Sequence, residues 1–340
     1  MIKINNKITF YKNGPANLIA EISCNHCGSK SLFLNHIIQA KKSGADLVKI
    51  QTYEAEDMIL NKDFKIKSGL WKNKNLYNLY KKAQTLFSWH KDAFKLAKKI
   101  GVTLFSTPFS PRAFFFLNQF KPDLYKVSSF EITDLHLIQL IAKTRKPIIL
   151  STGLSSIKEI NQAIKIIKKY HNKIILMHCV SGYPTPLDEA NLKNIEKLKK
   201  LTGIKYIGFS DHTEGIYAST IASNYNICSI EKHFILNKKL KSPDKKFSIT
   251  PKELSSLKFN IKTNTSMNKI VKKKSEKHSL IFRRSIYSIK DINKGEKFNE
   301  KNIRCFRPKI GISSDKYLNI LGKKSKKKIK AFTPILKKFV

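Results

Sequence analysis

The stretch AEISCNHCGS (residues 20–29) sets two cysteines three positions apart around an asparagine and a histidine. Cys24-Asn25-His26-Cys27 has the spacing of a zinc half-site or of a redox dithiol. A structural zinc takes four ligands, and no second C-x-x-C supplies the other two. A thioredoxin-like pair belongs at a helix start in a different fold. Cys24 and Cys27 are therefore read as incidental thiols, and the chemistry is sought elsewhere. Lys49 and Lys126 lie inside otherwise apolar runs, as do Ser106-Thr107, Ser129, Ser151-Thr152, Ser181 and Ser210 near the ends of theirs. A lysine in such a place is costly unless it is paired or meets a ligand. One buried lysine is explained by pairing with a neighbouring carboxylate. Two lysines with repeated hydroxyls at equivalent positions favour a site for a compact anion carrying phosphate and carboxylate.

Two further apolar runs end in His212 and His233. A single histidine at a strand end is more often a satisfied core residue. Two on consecutive strands, near Asp211, Glu231 and Asp244, make a plausible ligand pair for a divalent metal. Only two protein ligands leave coordination positions open, which suits Lewis-acid or water-activating chemistry. The two histidines by themselves leave Mn²⁺, Mg²⁺, Co²⁺ and Zn²⁺ open.

These residues must be positioned by the elements that carry them. Apolar runs at 17–22, 46–51, 102–106, 124–129, 147–152, 173–179, 205–210 and 227–233 alternate with stretches whose apolar residues recur every three or four positions. Near-continuous apolar strands separated by amphipathic helices require a parallel sheet covered by helices. Eight such units close into an α/β (β/α)8 TIM barrel, whose chemistry sits at the C-terminal ends of its strands. Read in order, those ends are Glu21, Lys49 with Gln51, Thr107, Lys126 with Ser129, Ser151, Ser181, Ser210 with His212, and Glu231 with His233. The 36-residue insertion at 53–88 is too long for a simple connection and is read as an active-site cover. A helix is expected at about 251–262, then a polar, lysine-rich linker at 263–279, then a small module at 280–340. The domains are thus 1–262, 263–279 and 280–340. The last is small for an independent core and is expected to dock on something.

Composition narrows the function classes. The 340-residue chain is 41% hydrophobic, enough for a large core. No apolar run reaches the roughly 20 residues a membrane span needs, and no signal-peptide pattern opens the chain. Five cysteines, an odd number, argue against a disulfide framework and for a cytoplasmic protein. The net charge of +42 raises the alternative of a nucleic-acid or basic carbohydrate binder. Only six basic residues are arginine, however, and the lysines are spread along the whole chain. That reads as solvated faces filled with lysine rather than a reading surface, so no specific nucleic acid is expected.

The motifs LIAEISCNHCGS, GADLVKIQTY, FSTPFS, YKVSSFEITD, IILSTG, YPTP, GFSDHTEGI, IEKHF and SPDKKFSITPKEL resemble, in order and spacing, the sialic acid synthase superfamily. The likeness runs from about residue 17 to the end. KIQTY, LWKNKNLYNLYKKA and SSFEITDLHLI look most like the pseudaminic acid synthases. The C-terminal RRSIYSIKDINKGEKFNEKNIRCFRPKIGI is similar to an antifreeze-like (SAF) domain. The resemblance implies metal-dependent condensation of phosphoenolpyruvate with an N-acetylated amino sugar, giving a nine-carbon nonulosonic acid and phosphate. The sugar expected is 2,4-diacetamido-2,4,6-trideoxy-altrose, giving pseudaminic acid.

The resemblance also implies roles for individual residues. Glu21 would deprotonate the water that adds at C2 or otherwise assist proton transfer, and Lys49, Thr107, Lys126, Ser129, Ser151, Ser181 and Ser210 would hold phosphoenolpyruvate. Gln51, Tyr183, Asp244 and Arg307 would serve the sugar, and His212 and His233 the metal. Arg307 would reach across a domain-swapped homodimer. In the opening stretch the family keeps residues matching Glu21, Asn25, His26 and Gly28. Ser242, Lys309 and Phe332 stand where the family commonly has glycine. The alternatives are a sialic or legionaminic acid synthase and a Schiff-base pyruvate aldolase using Lys126 or Lys49.

Overall fold

The computed structural model describes residues 1–267 and 274–340. The chain divides into two compact units, Met1–Lys269 and Ile270–Val340. In the first, eight parallel strands close a barrel in sequence order: β1 (Asn17–Glu21), β2 (Leu47–Thr52), β3 (Thr103–Pro108), β4 (Tyr125–Val127), β5 (Ile148–Ser151), β6 (Ile174–Cys179), β7 (Ile207–Asp211) and β8 (Ser229–His233). Each coincides with an expected apolar run. Register sets the charged ends side by side, with His233 opposite Glu21 across the closing seam and Glu21 opposite Lys49.

Helices α1 (Lys30–Lys42), α2 (Phe87–Ile100), α3 (Pro111–Asn118), α4 (Leu135–Lys143), α5 (Ile157–Lys168), α6 (Asn194–Thr202), α7 (Tyr217–Ala222) and α8 (Pro251–Met267) follow the strands. Local chemistry starts and stops them. Ser29, Ser110 and Asp134 accept the first backbone N–H groups of α1, α3 and α4, and Ser156 with Glu159 forms a capping box on α5. α2 ends where Gly101 takes φ +70°, a left-handed conformation that costs glycine little. On α5, Ile160, Ala163, Ile164 and Ile167 face the sheet at helical spacing. Each isoleucine so buried contributes roughly 1.5–3 kcal/mol. None of the helices is long and apolar enough to cross a membrane, among the described residues.

A short N-terminal ribbon, Ile2–Lys3 paired with Thr9–Phe10, lies at the other end of the barrel. Its Ile2, Ile8 and Phe10 join Ile19, Leu47, Phe105, Ile149, Ile175 and Met177 in one buried cluster that fills the barrel's lower interior. Inside the insertion, a single turn (Ala55–Met58) and a helix (Leu76–Ala83, capped by Asn75) fold back on the mouth.

The helix expected at 251–262 runs on to Met267, so the first residues of the expected linker are helical. Thr265 Oγ1 donates to Ile261 O within that extension. Residues 268–273 of the linker lie outside the described residues, and Lys274–Phe282 forms a 3-10 helix. The second unit holds the antiparallel pair β9 (Ser285–Ser288) and β10 (Ile303–Phe306) over its own small core of Ile286, Ile292, Phe298, Ile303, Ile320, Ile329 and Ile335. Phe332, standing where the resembling family commonly has glycine, takes φ +61°, so the chain keeps a glycine-type backbone under an exposed phenyl ring.

Candidate active site

Strand side chains alternate between faces. Two residues above the apolar interior layer, the inward positions turn polar: Ile19 gives way to Glu21, Leu47 to Lys49, Leu124 to Lys126, Ile149 to Ser151 and Met177 to Cys179. The deepest polar layer is a buried ionic cluster. Lys49 Nζ lies 2.8 Å from Glu21 Oε2 and 3.5 Å from Glu231 Oε1. Lys126 Nζ donates to the same Glu231 Oε1, as does Ser210 Oγ at 3.2 Å. Burial alone would raise the pKa of Glu231, but Lys126 and then Lys49 outweigh it and hold the carboxyl well below its usual range. Burial lowers the Lys126 ammonium against the attraction of Glu231, and the neighbouring charge of Lys49 adds to the fall. Lys49 is also opposed by burial, yet Glu21 and Glu231 together raise it. An ammonium group has three donors, and the bond to Glu231 uses one of those on Lys126. The others are available to an anion in the cavity above.

Beside the lysines stands a shelf of hydroxyls. Gly153 N–H donates to Ser129 Oγ at 3.1 Å. A Cβ on Gly153 would lie 2.3 Å from Ser181 Oγ and 2.9 Å from Ser129 Oγ, so the approach of both serines requires glycine here. Ser151 ends β5 on the same side of the cavity.

The two imidazoles stand on the neighbouring wall, with ring centroids 5.4 Å apart. His212 Nδ1 lies 2.9 Å from Val180 O. A carbonyl only accepts, so Nδ1 carries the proton and Nε2 presents its lone pair, the arrangement typical of a metal-ligating histidine. His233 Nδ1 is buried without a hydrogen-bond partner among the described residues, with Asp244 Oδ2 at 3.4 Å. Ser23 Oγ donates to Asp244 Oδ2 at 2.6 Å, and Gln51 Nε2 donates to Ser23 Oγ at 3.0 Å and Glu21 Oε1 at 3.1 Å. A continuous polar chain thus joins Glu21 to His233. Among the described residues, no group of three or more His, Cys, Asp or Glu side chains forms a metal cage. The donor set fits an open site in which two imidazoles hold a divalent ion and leave positions for substrate or water.

A cavity of about 540 Å³ opens above these groups. Lys49, Lys126, Ser129, Ser151, Ser181 and Ser210 line its depth, and Gln51, Tyr183, His212, His233 and Asp244 line its wall. Two expected residues lie beneath it instead. Glu21 is fully buried and held by Lys49 and Gln51. Thr107, also buried, has a hydroxyl without a hydrogen-bond partner among the described residues. Arg307 belongs to the second unit, where it shares a groove with Arg284 and Arg304. Asp211, expected near the histidines, turns to the opposite face of its strand and pairs with Lys232 at 3.1 Å. In the opening stretch, Cys24 is buried near Ser242 Oγ while Cys27 is exposed. Asn25 donates to Phe234 O and Ser248 Oγ, and His26 packs edge-on against Phe33 and Trp89. Asn25 and His26 thus fasten the loop, while its Ser23 lines the cavity.

Sequence reasoning missed the role of one residue and passed over two others. Glu231 was read at a strand end beside the histidines, whereas strand alternation turns it inward to Lys49 and Lys126. Glu131 lines the cavity, and burial raises its pKa to about 6 despite the hydrogen bond from Ser128 Oγ. Trp71, in the insertion, also lines the cavity; its one available signal was being one of two tryptophans, set in a segment too long to be a plain connection.

A model of the NeuB family matches residues 36–273, and one of the SAF domain matches residues 283–340. A pseudaminic acid synthase of Helicobacter pylori is 41% identical over 330 residues, covering 94% of this chain and 96% of that one. An N,N'-diacetyllegionaminic acid synthase of Campylobacter jejuni is 38% identical, covering 92% and 96%. Among solved structures, an N-acetylneuraminic acid synthetase of Leptospira borgpetersenii in complex with citrate superposes with a TM-score of 0.73 at 30% identity, covering 81% of this chain and 94% of that one.

Proposed function

This chain belongs to the NeuB family, and we propose that it condenses phosphoenolpyruvate with 2,4-diacetamido-2,4,6-trideoxy-altrose to give pseudaminic acid and phosphate. It is an enzyme of the sialic acid synthase type. The observation that carries the reading is the junction, within one cavity, of two buried lysines with a pair of imidazoles on adjacent strands.

In this reading Lys49 and Lys126 neutralise the phosphate and carboxylate of phosphoenolpyruvate, with hydroxyls from Ser129, Ser151, Ser181 and Ser210 and support from Thr107 beneath. C3 of phosphoenolpyruvate forms the new bond to the aldehyde carbon of the open-chain sugar, water adds at C2, and phosphate departs with C–O cleavage. His212 and His233 would hold a divalent metal, Mn²⁺ by expectation and otherwise Mg²⁺ or Co²⁺, which would supply Lewis-acid chemistry toward the sugar's carbonyl. Asp244 orients His233, and Tyr183, 4.4 Å from His212 between ring centroids, closes one side of the sugar's place.

The proton of the added water needs an acceptor. Glu231 is a weak base because two lysines hold its charge in place. Glu131, lifted to about 6 by burial, exchanges a proton readily near neutral pH and lines the same cavity. We assign it the base, and give Glu21 the task of fixing Lys49 and Gln51, through which it assists proton transfer indirectly.

We further propose catalytic and SAF domains at 1–262 and 280–340 in a domain-swapped homodimer, with Arg307 of one protomer serving the sugar bound by its partner, and a cytoplasmic location. The 38% identity to a legionaminic acid synthase makes the manno-configured diacetamido sugar the runner-up substrate. The test is phosphate release from phosphoenolpyruvate and Mn²⁺ with the altro sugar, the manno sugar or N-acetylmannosamine, before and after EDTA. Release that favours the altro sugar and is lost with EDTA is the expected result. Silence with every sugar, or borohydride trapping of pyruvate on Lys49 or Lys126 without metal, would overturn it.

A further inference from the structure

The cavity is polar at its depth and carbon-rich at its cover. Leu70, Leu79, Met58 and Phe130 line it, and Leu70 and Phe130 remain 43% and 57% exposed. Within this carbon wall there is one unusual polar atom. The indole nitrogen of Trp71 is buried and has no hydrogen-bond partner among the described residues. A buried N–H left unpaired costs free energy, so its persistence calls for an acceptor that arrives with a ligand. The ring's place is fixed: Trp71 lies 5.8 Å from Tyr183, and Tyr183 lies 4.4 Å from His212, between ring centroids. The indole is therefore one aromatic ring away from the imidazole pair, on the side of the insertion.

We propose that Trp71 with Leu70, Leu79 and Phe130 is a selectivity subsite for the end of the sugar remote from its aldehyde, and that it takes an N-acylated, deoxygenated chain end. The indole N–H donates to an acetamido carbonyl, and the carbon wall receives the methyl groups. This rests on the synthase reading, which sets the aldehyde at His212 and His233 and so sends the other end of the sugar toward the cover. A hydroxyl set against these carbon side chains gains no hydrogen bond from them, whereas a methyl buries carbon there. Indole supplies a donor and no acceptor, which matches an amide oxygen. The subsite thus discriminates against a sugar carrying hydroxyls at that end, such as N-acetylmannosamine, by leaving those hydroxyls unpaired.

The test compares full-length wild type, Trp71→Phe and Leu70→Asn with phosphoenolpyruvate and Mn²⁺, using the altro diacetamido sugar and N-acetylmannosamine in separate assays of phosphate release. Trp71→Phe should raise KM for the diacetamido sugar about tenfold, the loss of one hydrogen bond. Its kcat and its KM for phosphoenolpyruvate should stay within about twofold of wild type, the pattern of lost ground-state binding at one substrate only. Leu70→Asn, at a half-exposed position that does not threaten folding, should lower the preference for the diacetamido sugar over N-acetylmannosamine by about fivefold or more. Unchanged sugar KM and preference in both variants would sink the subsite while leaving the synthase intact. So would a parallel rise in KM for phosphoenolpyruvate, which marks general damage to the site. A wild type silent with both sugars and with the manno isomer would fail the synthase reading itself, and the subsite with it.

Discussion

Glu231 and Lys232 are consecutive residues of β8, and each sits in a buried ion pair, yet the two pairs differ in kind. Lys232 faces outward to Asp211 and also donates to Thr213 O. Asp211 accepts in turn from Thr213 N–H at 2.8 Å and from Ser219 Oγ on α7. That pair has its polar atoms engaged and ties the last turns of the barrel wall together. Glu231 faces inward, shares one oxygen among Lys49, Lys126 and Ser210, and leaves its Oε2 buried without a hydrogen-bond partner among the described residues. Burial of charge is common to both, so it does not distinguish a site from a brace. The unfinished hydrogen bonding does, because a structure tolerates it where a ligand completes it.

The largest effect should come from replacing the inward pair with carbon. Lys126→Met with Glu231→Leu removes both charges at once, which a fold tolerates well, but phosphate release should fall by about 10³-fold or more. A double variant that keeps its rate would erase the contrast. For the outward pair the expectation reverses. Asp211→Ala strands the Lys232 ammonium and should cost about 3–5 kcal/mol in urea unfolding, while Asp211→Leu with Lys232→Met recovers most of that. The KM for phosphoenolpyruvate of the folded Asp211 variant should be unchanged; a rise like that of a Lys126 variant would show that the two pairs act as one.

A smaller effect sharpens the comparison within the cavity, between Glu231, held low by lysines, and Glu131, raised by burial to about 6. A base must be ionised, so kcat/KM should decline as pH falls through about 6, and Glu131→Gln should remove that limb along with much of the rate. Stability runs the other way. The folded state holds this proton more tightly than the unfolded chain, so the group favours folding below its ordinary carboxylate value and loses that contribution as pH rises to about 6. A limb that survives in Glu131→Gln would move the base elsewhere.

Much of this was legible in the sequence. Eight apolar runs with amphipathic spacers specify the barrel, because a strand buried on both faces needs carbon throughout. The strand ends then gave the lysines, serines and histidines that line the cavity. What periodicity does not carry is depth. Glu21 and Lys49 both end inward strand positions, but only the barrel's closure shows that one lies beneath the other. Asp211 and Glu231 each stand two residues before a strand-end histidine or beside one, and only the pleat separates brace from site. The insertion hid most, since its aromatic residues have no strand register, and the pairing of Trp71 with Tyr183 comes from the chain folding back across more than a hundred residues.

The N-terminal ribbon, finally, makes the barrel a vessel with one opening. Ile2, Ile8 and Phe10 seal the lower end with carbon, so nothing passes through. Whatever binds at Lys49 and Lys126 must come and go through the covered mouth. In the synthase reading both substrates and both products therefore share one entrance, and the insertion that carries Trp71 stands beside all of that traffic.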